Sequence, residues 1–87
     1  MLARKLETDA EITAAYNEAK TSENIGFYWR EGSEGGYENN FLNDHGLEAI
    51  LDATCHGFEF IAVETPEKPD FIEEDELEFA DSVSLDR

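Results

Sequence analysis

At 87 residues the chain has room for one small domain and hardly for two. Apolar side chains make up 40% and aromatics 11%, enough for a small core, while 22 acids against 6 bases leave a formal charge of −16. Charge of this density repels itself and works against a compact state, so solubility alone is no reason to carry it. Six scattered cations exclude phosphate binding through a basic surface, and with it direct nucleic-acid binding. There is no run of about 18 apolar residues for a spanning helix, and Met1 to Leu6 lacks the apolar stretch of a secretion signal.

Thr8 followed by Glu11 is a capping box, and Ile12, Ala15, Tyr16 and Ala19 recur at helical spacing behind it, predicting a helix from about Asp9 to Lys20. Leu2 and Leu6 either extend that helix face backward or form an N-terminal arm. Ile25 to Glu31 alternates, with Ile25, Phe27 and Trp29 on one side and Tyr28 and Arg30 on the other. Gly32-Ser33-Glu34-Gly35-Gly36 is a turn sequence, and Tyr37 to Leu42 alternates again, so the two runs read as a hairpin. Its aromatic face (Phe27, Trp29, Tyr37, Phe41) reads as core, because the basic residues that accompany base stacking are missing.

Asn43 or Asp44 is placed to cap a second helix, on which Leu47, Ile50, Leu51 and Thr54 share a face and Glu48 and Asp52 stand opposite; Gly57 supplies a left-handed stop. Phe58 to Glu64 is apolar on both faces, the mark of a strand inside a sheet. After the loop Thr65-Pro66-Glu67-Lys68-Pro69, residues 70–81 read as one helical turn followed by a short edge strand. The expected fold is α+β in the order α-β-β-α-β. Its sheet has three or four antiparallel strands packed against helices; residues 1–69 form the compact domain, and 70–87 an acidic C-terminal extension docked on it.

The charge is unevenly placed. Residues 1–30 hold five acids (Glu7, Asp9, Glu11, Glu18, Glu23) against Arg4, Lys5, Lys20 and Arg30, whereas the remaining acids meet only Lys68 and Arg87. The density peaks at Asp70, Glu73, Glu74, Asp75, Glu76, Glu78 and Asp81, interrupted by Phe71, Ile72, Leu77 and Phe79.

No motif identifies a reaction. Cys55 and His56 are adjacent on a helix and point about 100° apart, so they make no nucleophile–base pair; Cys55 reads as a small core residue and both His45 and His56 as exposed helix-end residues. His45, Cys55 and His56 lack zinc-ligand spacing. The acidic run has no glycine for a calcium loop, and a paired-carboxylate hydrolase needs a cleft for which so short a chain leaves little room. No cofactor, no metal and no enzymatic activity are expected. One cysteine cannot form an internal disulfide, which suits a reducing compartment and points to the cytoplasm.

What remains is the field. Duplex DNA carries one negative charge per ~1.7 Å of axis, and a protein imitates such a row with acids two apart on a strand (~6.5–7 Å) or four apart on a helix (~5–6 Å). Glu76 with Glu78, Glu48 with Asp52, and Asp70 with Glu73 or Glu74 meet these spacings. In size, acidity and lack of a catalytic motif the chain is similar to small phage proteins that block nucleic-acid enzymes, among them the uracil-DNA glycosylase inhibitor, anti-restriction proteins and several anti-CRISPR proteins. The likeness is one of class; it spans no alignable motif and gives no residue a role. It implies an inhibitor that occupies the basic channel of a nucleic-acid-binding protein or nuclease complex, acting in the host cytoplasm if phage-encoded; the placement of the charge, not the likeness, marks Asp70, Glu73, Glu74, Asp75, Glu76, Glu78, Asp81, Glu48 and Asp52 as the expected partner-binding residues. The alternatives are an accessory or regulatory subunit docking through its acidic-apolar C-terminal segment, and a protein adapted to high salt.

Overall fold

The computed structural model describes residues 1–32, 34–39 and 46–79. It is α+β, built on one six-stranded mixed sheet: β1 (Leu2–Leu6), β2 (Ile25–Glu31), β3 (Tyr37–Glu38), β4 (Phe58–Glu64), β5 (Phe71–Ile72) and β6 (Glu78–Phe79), in the spatial order β5-β3-β2-β4-β1-β6. Two α-helices are described, α1 (Asp9–Thr21) and α2 (Leu47–Ala53), with single 3₁₀ turns at Thr54–His56 and Glu74–Glu76. The sheet is thus larger than the three or four antiparallel strands expected, and it is mixed because β6 runs parallel to β1. The element order is β-α-β-β-α-β-β-β.

The centre is β4. It pairs antiparallel with β2 on one side and β1 on the other, so β1 and β2 run parallel with β4 between them, and α1 bridges them. The side chains of β4 divide as their alternation requires. Phe58, Phe60 and Ala62 join Leu6, Phe27, Ile12, Ala15, Ala19, Ile50 and Ala53 in a core under the helices; Ile61 and Val63 join Ala3, Tyr28, Tyr37 and Ile72 on the opposite face. The helical core includes a stack of Phe27 on Phe60, with centroids 5.4 Å apart, and Tyr16 meets Phe27 edge-on.

The helix signals hold. Thr8 accepts a hydrogen bond from the Glu11 backbone while the Glu11 carboxylate accepts from the Thr8 and Glu7 amides, and these backbone bonds hold the Glu11 carboxyl below its ordinary pKa. Gly57 closes the second helical segment at φ 87°, a left-handed conformation that costs an L side chain. Three local readings are corrected. The N-cap of α2 is Gly46, without a side-chain bond; Asn43, Asp44, Leu42 and His45 lie outside the described residues. Ala53 is buried beside Ile50, whereas Thr54, which opens the 3₁₀ turn, is half-buried with its hydroxyl donating to the Leu51 carbonyl at 2.7 Å. Cys55, on that turn, is exposed rather than part of the core.

Tyr37 is the fourth correction. Glu38, not Tyr37, faces Trp29 across the hairpin, so Tyr37 joins Tyr28 on the face away from the helices. Gly32 and Gly35 both take positive φ, and the turn they make shifts the phase of the second strand by one residue, which moves every side chain to the other face. Tyr37 is core all the same, at 0% exposure; Phe41, assigned to the same aromatic face, lies outside the described residues.

Among the described residues no α-helix packs on the second face. Residues 73–77 cross it as a strap, leaving β5 at one edge of the sheet and entering β6 at the other. The helical turn and edge strand expected here exist as Glu74–Glu76 and Glu78–Phe79, preceded by the unexpected β5. Ile72 is fully buried, and Leu77 and Phe79 pack half-buried against the same cluster. Replacement of Ile72 by Ala is expected to lower the unfolding free energy by ~2–5 kcal/mol in urea melts, whereas a strap that merely lay on a finished domain would leave the midpoint unmoved.

Candidate functional site

Arg30 governs the strap. Its side chain is 7% exposed and sits on the second face, its guanidinium 4.5 Å above the Tyr37 ring. Nε and Nη2 both lie 3.0 Å from Glu59 Oε1, Nη1 donates to the Gly35 carbonyl at 2.9 Å, and Nη1 lies 3.4 Å from Glu74 Oε1. Burial works against this charge, but the Glu59 hydrogen bond and the surrounding carboxylates outweigh it and move its pKa upward. One guanidinium thereby joins β2, β4, the glycine turn and the strap, using the planar fork that lysine lacks.

Of the other described side-chain cations, Lys68, Lys5 and Lys20 are also engaged with the chain's own groups. Lys68 donates from Nζ to the Ser22 carbonyl at 2.6 Å and the Ala19 carbonyl at 3.4 Å, covering the C-terminal end of α1 where cations are favoured. Its backbone sits at φ 45°, a conformation uncommon for a residue other than glycine, and the loop around it is fastened by Tyr28 Oη and Asn39 Nδ2, which donate to the Pro69 carbonyl at 2.6 and 3.0 Å. Lys5 lies over the Phe79 ring and Lys20 over the Tyr16 ring, at 5.5 and 5.1 Å. Arg4 is exposed on β1; Arg87 lies outside the described residues.

The acids are left facing outward. Asp70, Glu73, Glu74, Asp75, Glu76 and Glu78 are all exposed along one continuous segment. Among them Glu74 alone has a cation on its carboxylate, Arg30; the Met1 ammonium donates to the backbone carbonyl of Glu76 at 2.7 Å. Glu76 closes the 3₁₀ turn and Glu78 opens β6, whose amide donates to the Met1 carbonyl at 2.8 Å. Asp81 lies outside the described residues. Glu48 and Asp52 are exposed on α2, where Asp52 lies 3.5 Å from the His56 ring. Because α2 packs into the core on the other side of the sheet from the strap, these two do not join the row formed by the strap. Glu38 is exposed on the helix side of the sheet as well, since it pairs with Trp29; the β3–β5 register sets it directly opposite Phe71, an adjacency invisible until β5 is known to be a strand.

Among the described residues no group of three His, Cys, Asp or Glu side chains is placed to hold a metal ion, and no helix is long and apolar enough to cross a membrane. The best-formed cavity, about 320 Å³, opens between the start of α1 and the ends of β1 and β4, with Leu6, Ile12, Phe58 and Phe60 in its wall; no strap residue lines it. No family model, curated protein or solved structure matches the chain.

The second face also sets a pH limit. Desolvation pushes the Tyr37 hydroxyl up to about 12, with the Glu59 and Glu74 charges adding to it against the opposing pull of Arg30, and burial raises Tyr28 as well. A tyrosine held neutral in the fold but free to ionise near pH 10 in the unfolded chain stabilises the fold fully below pH 10 and loses that contribution as pH rises toward 12. The urea midpoint is therefore expected to fall between about pH 10 and pH 12, and to fall less in Tyr37→Phe; parallel curves for the two proteins would contradict the assignment.

Proposed function

We propose that the protein is a small acidic interaction protein without a reaction of its own, which occupies the basic nucleic-acid channel of a partner and so inhibits it. The observation that carries this reading is the division of charge by the fold. The described cations, Arg4 excepted, serve the chain's own interior, helix end and rings, while the acids of 70–78 form an exposed row held by β5 and β6 at its two ends. Anchoring at both ends reduces the entropy that binding must otherwise remove from the segment, and a fixed anionic row steers toward a cationic channel at rates that fall with salt. A phage-type inhibitor of a restriction or CRISPR nuclease is the most concrete form of the proposal. Adaptation to high salt is disfavoured by the nearly neutral balance of residues 1–30, because an environmental pressure acts on the whole surface.

The deciding experiment begins with capture of the partner from a nuclease-treated lysate at low salt. Labelled nucleic acid is then titrated onto that partner with and without this protein. Mutual exclusion is expected, since two polyanions cannot share one groove without strong like-charge repulsion; a ternary complex with undiminished nucleic-acid binding would rule out channel occupation. Raising salt from ~0.05 to ~0.5 M, which shortens the Debye length from ~13 to ~4 Å, is expected to weaken the complex steeply through its on-rate. Neutralising Asp70, Glu73, Asp75, Glu76 and Glu78 together, with Glu74 left to Arg30, is expected to weaken binding by more than ~10-fold. The same number of changes at Glu7, Asp9, Glu11, Glu18 and Glu23 should cost less, and equal losses would mean that net charge acts without a localised surface.

A further inference from the structure

Phe71 is 49% exposed, the most exposed of the large apolar residues described. It stands on β5 with its side chain on the opposite face from the buried Ile72, and the register sets it directly across from the exposed Glu38, so the two side chains share a face at cross-strand contact range. Its ring rests on Gly36: a Cβ there would come within 2.3 Å of the ring's Cζ and 2.7 Å of the Ile72 carbonyl. Glycine at 36 therefore leaves the space that the tip of the ring occupies. Asp70 and Glu73 bracket it in the chain.

Three other rings each lie beneath one of the chain's own cations: Tyr37 under Arg30, Tyr16 under Lys20 and Phe79 under Lys5. Among the described residues Phe71 has no such cation, although it lies in the most acidic stretch of the sequence, where a cation over a ring is stabilised twice. The interior gives the geometry in miniature, with a guanidinium 4.5 Å above a ring and 3.0 Å from a carboxylate oxygen. We propose that Phe71 with Glu38 is an arginine-docking position at the β5 edge of the sheet, where the acidic strap begins but on the helix side, in which a guanidinium of the partner lies on the Phe71 ring and pairs with the Glu38 carboxylate. This rests on the reading of the partner as a basic protein and adds to it a contact that discriminates between cations. A guanidinium is weakly hydrated and stacks on aromatic faces, whereas an ammonium holds its water. The strap acids attract any polycation; Phe71 selects arginine.

Calorimetric titration of the intact protein with octa-arginine and octa-lysine tests it. The wild-type chain is expected to bind octa-arginine several-fold more tightly. Phe71→Leu keeps an apolar side chain over Gly36 and removes the π-face; it should lose about fivefold in octa-arginine affinity, the range of a surface cation–π contact, leave octa-lysine affinity unchanged, and keep the wild-type melting temperature. Phe71→Ala should behave alike, and Glu38→Gln should lose a smaller part of the arginine preference. An arginine preference retained in Phe71→Leu overturns the proposal, as does equal binding of the two peptides, or binding of neither, by the wild-type chain. A Phe71-dependent arginine preference together with undiminished nucleic-acid binding by the captured partner would sink channel occupation while leaving the arginine position standing.

Discussion

The buried guanidinium of Arg30 is the constraint around which the second half of the fold is organised. In a chain with 22 acids, a cation withdrawn from water must find carboxylates that can follow it, and Glu59 and Glu74 do so from two different elements. Its remaining donors fix the Gly35 carbonyl, and its flat face needs a flat ring, which Tyr37 provides. The glycine turn, the one-residue shift of phase after it and the line taken by the strap are in this sense one problem with one solution. An ammonium in the same place would lack the fork to hold three partners.

What the sequence made legible follows from how many residues each element uses to declare itself. The helix Asp9–Thr21 has a capping box and four apolar positions at the right spacing, and the strand Phe58–Glu64 has seven residues of two-sided apolar character; both were readable to within a residue. A two-residue strand such as Phe71–Ile72 shows no period at all, since alternation needs more positions than it has. The strand Leu2–Leu6 carries Arg4 and Lys5 side by side, and its leucines at 2 and 6 are also one helical turn apart, so its pattern fits either element. Tyr37 was readable as core but not as to face, because residue parity cannot be carried through a turn with two positive-φ glycines.

The same reasoning divides the candidate surface. The crowding of acids in 70–78 is a property of the linear chain and needed no structure. That Glu48 and Asp52 stand on the far side of the sheet depends on packing, and two pairs with equally good spacing in sequence thus part company in space. The partner of Phe71 is set by a strand pairing between residues 33 positions apart, Glu38 and Phe71, which no local pattern encodes.

The placement of β4 between β1 and β2 has a kinetic consequence. The first 31 residues contain two strands and the helix that joins them, yet β1 has no ladder partner, and β2 only the short pairing of Trp29 with Glu38 in β3, until residues 58–64 arrive. Sheet formation therefore waits on loop closure across most of the chain, an entropic cost met before the hydrogen bonds that reward it. The α1 segment, with its capping box and its lysine in the last turn, has what it needs to form earlier on local interactions. The natural sequence of events is a fluctuating helix between β1, still unpaired, and β2, paired only with the two-residue β3, then insertion of Phe58–Glu64 between them as the cooperative step. On such a route a substitution in β4 slows folding, whereas one in the strap chiefly speeds unfolding.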